Sequence, residues 1–190
     1  MKKIISVLVE KDTGGLVRIV SLLTRRRFHI ESITMAACER KCYERITIIL
    51  INKSDGVDAG QQLLKQLKKL LNVIHVKDMS SLPIVERELL LIKLQVNLIE
   101  RAEISNLAQI FRFKINDVTD STIILEVSAD PGKIAALEKI LQKYNILELC
   151  RTGGIALIRE SRVSTLSLKA YPDFEITTDQ NYLTTMGELL

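Results

Sequence analysis

The N-terminal third of the chain alternates between short apolar runs and stretches with helical spacing. Residues 4–9 are almost continuously apolar and rich in β-branched side chains, which predicts a buried strand. From Leu16 the apolar residues recur at helical intervals, which predicts an amphipathic helix. Its core-facing side chains are expected to be Leu16, Ile19, Val20 and Leu23. Between strand and helix, Gly14 and Gly15 predict a tight turn.

The pattern then continues with a hairpin, a helix and a strand. Residues 30–37 and 43–51 are predicted to be the two strands of a hairpin, on either side of a polar turn. Residues 59–71 have helical spacing, and residues 73–76 form a further short apolar run. The expected core side chains of this second helix are Leu63, Leu67, Leu70 and Leu71. The order strand, helix, strand, strand, helix, strand is that of a ferredoxin-like domain.

The second half of the chain repeats this order after a short polar segment that contains Ser80, Ser81 and Pro83. Asp130 followed by Pro131 is a favourable start for the second helix of this half, as N-cap and first helical residue. The predicted helices begin at Ala102 and Pro131. The predicted strands cover residues 89–96, 115–118, 122–128, 146–151 and 155–159.

The fold class predicted is therefore α+β, with two tandem ferredoxin-like (βαββαβ) domains. The expected N-terminal domain covers residues 1–78, a linker covers residues 79–85, and the C-terminal domain covers residues 86–160. Residues 161–190 form a C-terminal extension without a strong period. A disordered tail, an added edge strand and a partner-binding arm all remain open for it.

One face of the first predicted sheet has no helix to cover it. Both helices of a ferredoxin-like unit pack on the same face, yet Thr47, Ile49 and Ile51 make the opposite face apolar as well. An uncovered apolar face of that size usually contacts another domain or subunit. We therefore expect a homodimer or a larger assembly.

Composition and charge exclude several classes of protein. The 27 basic and 23 acidic residues leave a net charge of only +4, too little to indicate a nucleic-acid partner. No apolar run reaches the length of about 18 residues that a membrane span needs. Three cysteines without a signal peptide argue against a disulfide framework. We expect a protein of the bacterial cytoplasm or of the plastid stroma.

No catalytic or metal-binding constellation stands out. His29 and His75 each accompany an apolar strand and are expected to be structural, and Cys38 and Cys42 lack the partners of a zinc site. The run of arginines at residues 25–27 suits a helix C-terminus, with an anion site as the alternative. These absences favour a binding or regulatory protein that is not an enzyme.

The glycine turn has two interpretations. A plain strand-to-helix turn is the simpler one. The alternative is an anion site, because unpaired N–H groups and the positive end of the dipole face outward at a helix N-terminus. Neither of the usual nucleotide-binding glycine motifs is present, so a nucleotide is not indicated.

Five separated segments resemble the small regulatory subunit of acetolactate synthase (acetohydroxyacid synthase). They are IISVLVE, GGLVRI, HIESITM, VERELLLIK and CRTGGIALIRE. The resemblance implies an N-terminal ACT domain followed by a second ACT-like domain, without an active site or cofactor of its own. It implies a large catalytic subunit as partner, which uses thiamine diphosphate, FAD and Mg²⁺ and which this subunit activates.

The resemblance also implies feedback inhibition by a branched-chain amino acid, usually valine, in valine, leucine and isoleucine biosynthesis. The effector would lie between the N-terminal ACT domains of two subunits. The residues expected to bind it are Lys11, Gly14, Gly15, Leu16, His29 and Ile30. Lys11 and His29 stand where family members often have asparagine, so another effector than valine stays open.

Two other functions remain as alternatives. A stand-alone ACT amino-acid sensor for a different enzyme would share the fold. An RNA-binding module on a similar sheet requires exposed aromatic residues on its central strands, and residues 43–51 have none in the middle.

Overall fold

The secondary structure follows the repeated order that the sequence predicts. A computed structural model describes residues 2–51 and 59–160. The elements of the first half are β1 (Lys2–Glu10), α1 (Gly15–Arg25), β2 (Ile30–Ala37), β3 (Tyr43–Ile51), α2 (Ala59–Leu67) and β4 (Val73–Asp78). Those of the second half are β5 (Ile84–Gln95), α3 (Leu98–Phe111), β6 (Lys114–Val118), β7 (Thr122–Ala129), α4 (Pro131–Leu141), β8 (Asn145–Arg151) and β9 (Ile155–Ile158).

The first sheet has the strand order β2-β3-β1-β4, and all its neighbouring strands are antiparallel. Alternate residues of β1 and β3, such as Ile5 and Ile48, are buried against both helices of this half. The helices contribute Ile19, Leu23, Leu63 and Leu67 to this core. Strand β1 is buried over residues 4–9, as its continuous apolar run predicts.

The second sheet repeats this arrangement with the order β6-β7-β5-β8. Its core contains Leu90, Ile92 and Leu94 of β5, packed with Ile104 of α3 and Leu137 of α4. The predicted fold class, two tandem ferredoxin-like units, is confirmed.

Strand β5 is longer than predicted and takes part in two pairings. Its second half pairs with β7 and β8, whereas Ile84–Arg87 pair with β9. The strand therefore begins inside the predicted linker 79–85. The paired segments of β5 and β9 form a two-stranded ribbon, which we call the β5–β9 ribbon.

The β5–β9 ribbon covers part of the first sheet's second face. Ile4 and Ile49 of that face pack with Met79, Ala156 and the partly buried Ile84 and Ile158. Ile49 is only 2% exposed, and Thr47 is 4% exposed. Of the two expected partners for this apolar face, another domain or another subunit, the structure therefore shows the first, because the chain's own second half covers most of the face. Ile51, at the end of β3, remains about half exposed.

Three residues assigned to helix cores from the sequence lie at the surface. In α1 the buried positions are Gly15, Ile19 and Leu23, spaced four apart, so Leu16 and Val20 turn outward and are exposed. Helix α2 ends at Leu67, and the chain then turns, which leaves Leu71 almost fully exposed. These three predictions were wrong because each depended on a helix orientation or length that tertiary packing decides.

Both helices of the second half have well-formed N-termini. Helix α3 begins four residues before its predicted start, because Asn97 and Glu100 form a reciprocal capping box. Helix α4 begins as predicted, with the Asp130 side chain accepting a hydrogen bond from the Lys133 N–H at 3.1 Å. The N-cap at Asp130 is confirmed.

The substitution Asp130→Ala is expected to lower the free energy of unfolding by about 0.5–2 kcal/mol, because it removes the acceptor for the Lys133 N–H. Urea unfolding followed by circular dichroism measures the change. Asp130→Asn is the matched control, since asparagine caps equally well. An equal loss in both variants would contradict the capping role.

Two further observations concern the described part of the chain. None of its helices is long and apolar enough to cross a membrane. Within residues 2–51 and 59–160, no three His, Cys, Asp or Glu side chains are grouped so that they could hold a metal ion. The predictions made for residues 161–190 lie outside the described residues.

Candidate functional site

The glycine turn is fixed at the end of the first sheet by backbone hydrogen bonds. The Glu10 N–H donates to the Asn72 carbonyl, and the Lys11 N–H donates to the Cys42 carbonyl, both at 2.9 Å. The Gly15 N–H donates to the Asp12 carbonyl at 3.2 Å, and Gly15 itself is buried. The turn therefore leads directly into α1 and presents the helix N-terminus at the edge of the molecule.

Asp12, which was not among the predicted site residues, lies at this helix N-terminus. Its carboxylate accepts a hydrogen bond from Asn72 Nδ2 at 2.8 Å and forms an ion pair with Arg18 at 3.3 Å. The Gly14 N–H, with smaller contributions from Arg18, Asn72 and Thr13, holds the pKa of the Asp12 carboxyl below its usual value. The chain's own carboxylate thus already interacts with one of the N–H groups expected to bind an external anion.

The other N–H groups of the first turn remain available by helix geometry. The first i→i−4 hydrogen bond of α1 is the one that the Arg18 N–H donates to the Gly14 carbonyl. The N–H groups of Leu16 and Val17 precede it and have no helical carbonyl to reach. Leu16 is 36% exposed and Val17 is 64% exposed, so this end of α1 combines backbone donors with apolar side chains.

The predicted site residues His29 and Ile30 lie at the opposite end of the first sheet. Ile30 pairs with Leu50, which in turn pairs with Lys3 at the start of β1, whereas the turn follows Glu10 at the end of β1. Seven residue steps of extended strand lead from Lys3 to Glu10, roughly 23 Å at the usual rise. Within one chain the structure does not bring the two halves of the predicted site together.

The beginning of β2 is a free edge of the sheet. Strand β2 pairs with β3 on one side, and the order of the described strands places no neighbour on its other side. His29 and Ile30 are both exposed, and Glu31 is an extra residue between the pairs Ile30–Leu50 and Ser32–Ile49. This β-bulge bends the strand directly after the predicted site residues.

The chain's TGG motif contacts β2 a few residues further along. Thr34 Oγ1 lies 3.3 Å from the carbonyl oxygens of Thr152 and Gly154, and the Gly154 N–H donates to Ser32 Oγ at 3.4 Å. We call residues 152–154 the TGG turn. Sequence reasoning did not identify this contact between the two sheets, although two glycines after an apolar strand indicate a close backbone approach.

Two clefts lie on the face of the first sheet that the helices do not cover, and the TGG turn forms part of the wall of the smaller one. The smaller, about 270 Å³, is charged and includes Lys2, Glu31, Glu86, Glu88 and Arg151 in its wall. Glu86 forms an ion pair with Lys2 at 2.5 Å, and Glu88 forms one with Arg151 at 3.9 Å.

The larger cleft, about 410 Å³, lies between the first sheet and the β5–β9 ribbon. Its wall is mostly apolar and includes Ala36, Val85, Ile155 and Leu157. Arg45, in the wall of this cleft, donates from Nη2 to both carboxylate oxygens of Glu39, at 3.1 and 3.2 Å.

Two family profiles match the chain. Residues 11–76 match the profile described as "ACT domain", and residues 87–160 match "Small subunit of acetolactate synthase". A probable acetolactate synthase small subunit from Archaeoglobus fulgidus is 40% identical over 162 residues, covering 85% of this chain and 99% of that protein. The chain belongs to the acetolactate synthase small-subunit family.

A solved structure of this family supports the assignment. The crystal structure of the acetolactate synthase small subunit from Thermotoga maritima aligns with a TM-score of 0.75 at 33% identity. The alignment covers 85% of this chain and 99% of that one. The arrangement of the two ACT-type sheets is therefore the fold of a known acetolactate synthase small subunit.

Relatives from plants are considerably longer. Acetolactate synthase small subunit 2, chloroplastic, from Arabidopsis thaliana is 36% identical over 167 residues, which cover 88% of this chain. The same alignment covers 34% of the Arabidopsis protein, so the chain spans about a third of that relative's length.

Proposed function

We propose that this chain is a regulatory subunit that activates the catalytic large subunit of acetolactate synthase and makes it sensitive to a branched-chain amino acid. The observation that carries this proposal is the match along 99% of an acetolactate synthase small subunit. L-valine is the first candidate effector. The function would lie in the biosynthesis of valine, leucine and isoleucine, in the bacterial cytoplasm or the plastid stroma.

In this proposal the catalytic chemistry belongs to the partner. The large subunit would hold thiamine diphosphate, FAD and Mg²⁺, and this chain would contribute no catalytic residue. Residues 1–78 and 86–160 would serve as its ACT and ACT-like domains. The first would bind the effector, and the second would contribute to regulation of the large subunit.

The effector site is proposed to form between two copies of the chain. The turn that precedes α1 and the start of β2 lie roughly 23 Å apart in one protomer, too far for one amino acid to contact both. If two β2 edges pair antiparallel about a twofold axis, the Ile30 end of one strand lies beside the Ala37 end of the other. That end adjoins the partner's turn, because the Lys11 N–H bonds to Cys42 in the β2–β3 connection.

Exposed apolar side chains of α1 support a homodimer on this side. Leu16, Val17 and Val20 are between 36% and 64% exposed, and Ile30 is 37% exposed. Together with the free edge of β2, they provide both backbone hydrogen-bonding groups and apolar surface for a second copy. The proposal of a homodimer therefore rests on α1 and the edge of β2. It no longer rests on the face around Ile49, which the second half of the chain covers.

The chemistry of an amino acid fits the two half-sites. Its carboxylate would accept hydrogen bonds from the first-turn N–H groups of α1, and Lys11 is exposed close to them. Leu16 and Ile30 would contact its apolar side chain. Asp12 would then lie near the ammonium group of the effector. Its negative charge would favour binding of a zwitterion over binding of a simple anion.

The test is reconstitution with the cognate large subunit. Co-purification of the two chains, followed by an assay of acetolactate formation, should show higher activity than the large subunit alone and inhibition by added L-valine. L-leucine and L-isoleucine are tested in parallel, because Lys11 and His29 differ from the asparagines common in the family.

Two outcomes would contradict the proposal. Unchanged acetolactate formation in the presence of this chain would exclude the role as activator. Co-purification with a different enzyme and not with the large subunit would favour a stand-alone ACT sensor.

A further inference from the structure

The contact between β2 and the TGG turn joins the two sheets through polar groups. Thr34 Oγ1 lies 3.3 Å from each of the Thr152 and Gly154 carbonyl oxygens, and it donates one hydrogen bond to this pair. Ser32 Oγ accepts a hydrogen bond from the Gly154 N–H at 3.4 Å. Ser32 and Thr34 lie on the face of the first sheet that the helices do not cover.

Sterically, both glycines of the turn are required for this approach. A Cβ atom on Gly154 would lie 2.4 Å from Ile49 Cδ1, closer than any ordinary contact. Gly153 has φ +81°, which side chains rarely adopt, and a Cβ there would lie 2.9 Å from Thr34 Oγ1. The TGG turn thus lies so close to the first sheet that neither glycine leaves room for a Cβ atom.

On its other side, the TGG turn is attached firmly to the second sheet. The Thr152 N–H donates to the Leu89 carbonyl, and the Leu89 N–H donates to Thr152 Oγ1, both at 3.1 Å. Arg151 forms ion pairs with Glu88 and Glu138. A displacement of the turn therefore moves β5 and β8, the centre and one edge of the second sheet.

Strand β2 connects this contact to the proposed effector site. Ile30 and Ser32 are two residues apart on the same edge strand, with the Glu31 bulge between them. A ligand that fixes Ile30 against a second copy would change the geometry of the bulge, because β2 pairs on one side only among the strands that the structure describes. Ser32 and Thr34 would then move relative to the TGG turn.

We infer that the contact of Ser32 and Thr34 with the TGG turn transmits occupancy of the effector site to the second sheet. The inference rests on the proposed function, since it concerns regulation by the same site. It assigns positioning roles to Ser32, Thr34, Gly153 and Gly154, none of which is expected to touch the effector. The two sites are then linked through one strand, a contiguous connection of the kind that can carry coupling between them.

The experiment uses the substitution Gly154→Ala in the full chain, with Ile49→Val as its matched partner. The added methyl group collides with Ile49 Cδ1, and Ile49→Val removes that atom. The double variant therefore restores room for the turn, while Ile49→Val alone changes little at the contact. Thr34→Val is a second variant, which removes the hydroxyl donor at nearly constant volume.

Hydrogen exchange with and without L-valine provides the readout. In the wild-type chain, L-valine should slow exchange both in residues 11–16 and in the second sheet, at β5 and β8. In Gly154→Ala and Thr34→Val, the slowing in the second sheet should fall by at least about half, while the affinity measured by calorimetry stays within about threefold. The double variant should recover the wild-type response.

The outcomes separate this inference from the proposed function. Slower exchange confined to residues 11–16 and 29–30 of the wild-type chain would overturn the inference and leave effector binding intact. Normal coupling in Gly154→Ala and Thr34→Val would overturn it as well. An absence of any effect of L-valine, L-leucine or L-isoleucine on the wild-type chain would overturn the effector-binding proposal, and this inference with it.

Discussion

Gly14→Asp is expected to abolish inhibition of the reconstituted enzyme by L-valine, while activation of the large subunit persists. The new carboxylate would stand beside the first-turn N–H groups of α1 and repel the carboxylate of the effector. Loss of a hydrogen bond to a charged group alone costs about 1.5–3 kcal/mol, which corresponds to roughly 10- to 100-fold in affinity. Repulsion between the two carboxylates adds to this loss.

The variant should fold normally. Gly14 has φ −96° and ψ −10°, a conformation that any residue adopts without strain. A Cβ atom there would lie 3.2 Å from Arg18 Nη2, the end of a flexible side chain that can move aside. The effect is therefore expected on binding and not on stability.

Titration calorimetry with L-valine and the activity assay together measure this effect. Gly14→Ala is the matched control, because it adds the Cβ atom without the charge and should retain binding. Full inhibition of the Gly14→Asp complex by L-valine would refute the placement of the site.

Mixing two variants that each fail to bind L-valine is expected to restore binding of L-valine. Gly14→Asp disables the turn, and Ile30→Asp places a charge in the apolar wall at the start of β2. If each site takes its turn from one protomer and its β2 start from the other, a mixed dimer contains one site with both substitutions and one with neither. After random exchange of subunits, about a quarter of all sites should bind.

This outcome depends on the distance between the two half-sites. A site within one protomer would be defective in every chain of the mixture, so no binding would return. Sedimentation velocity at micromolar concentration must show dimers of each variant. A monomeric wild-type chain would contradict the proposed shared site.

Much of the fold could be predicted from local pattern. The apolar run of β1, the strand predicted at residues 43–51 and the Asp130–Pro131 start of α4 each reflect a short-range rule, and each is observed. Leu16 and Val20 are residues for which such rules give the wrong result, because both were predicted to be buried and both are exposed. Helical spacing identifies an apolar face about 100° wide, but only packing decides which part of it meets the sheet.

The candidate site was predictable only in its parts. The sequence indicates the glycine turn and the start of β2, but their separation follows from the register of β1, β2 and β3. Asp12 was missed because its role depends on Asn72, which lies 60 positions away in the chain. The sequence indicates that another domain or subunit contacts the face around Ile49, but it does not identify the β5–β9 ribbon, since pairing between Ile84–Arg87 and β9 is a long-range event.

The β5–β9 ribbon has a consequence for engineering of this protein. The segment around Pro83 resembles a boundary at which one half could be exchanged for that of a relative. A fragment cut there would leave the side chains of Ile4 and Ile49 uncovered, and such a surface promotes aggregation. In a functional chimera, the side chains of the first half that contact Gly154 and Ala156 would have to match those two residues in size. The two halves should therefore be taken from the same relative.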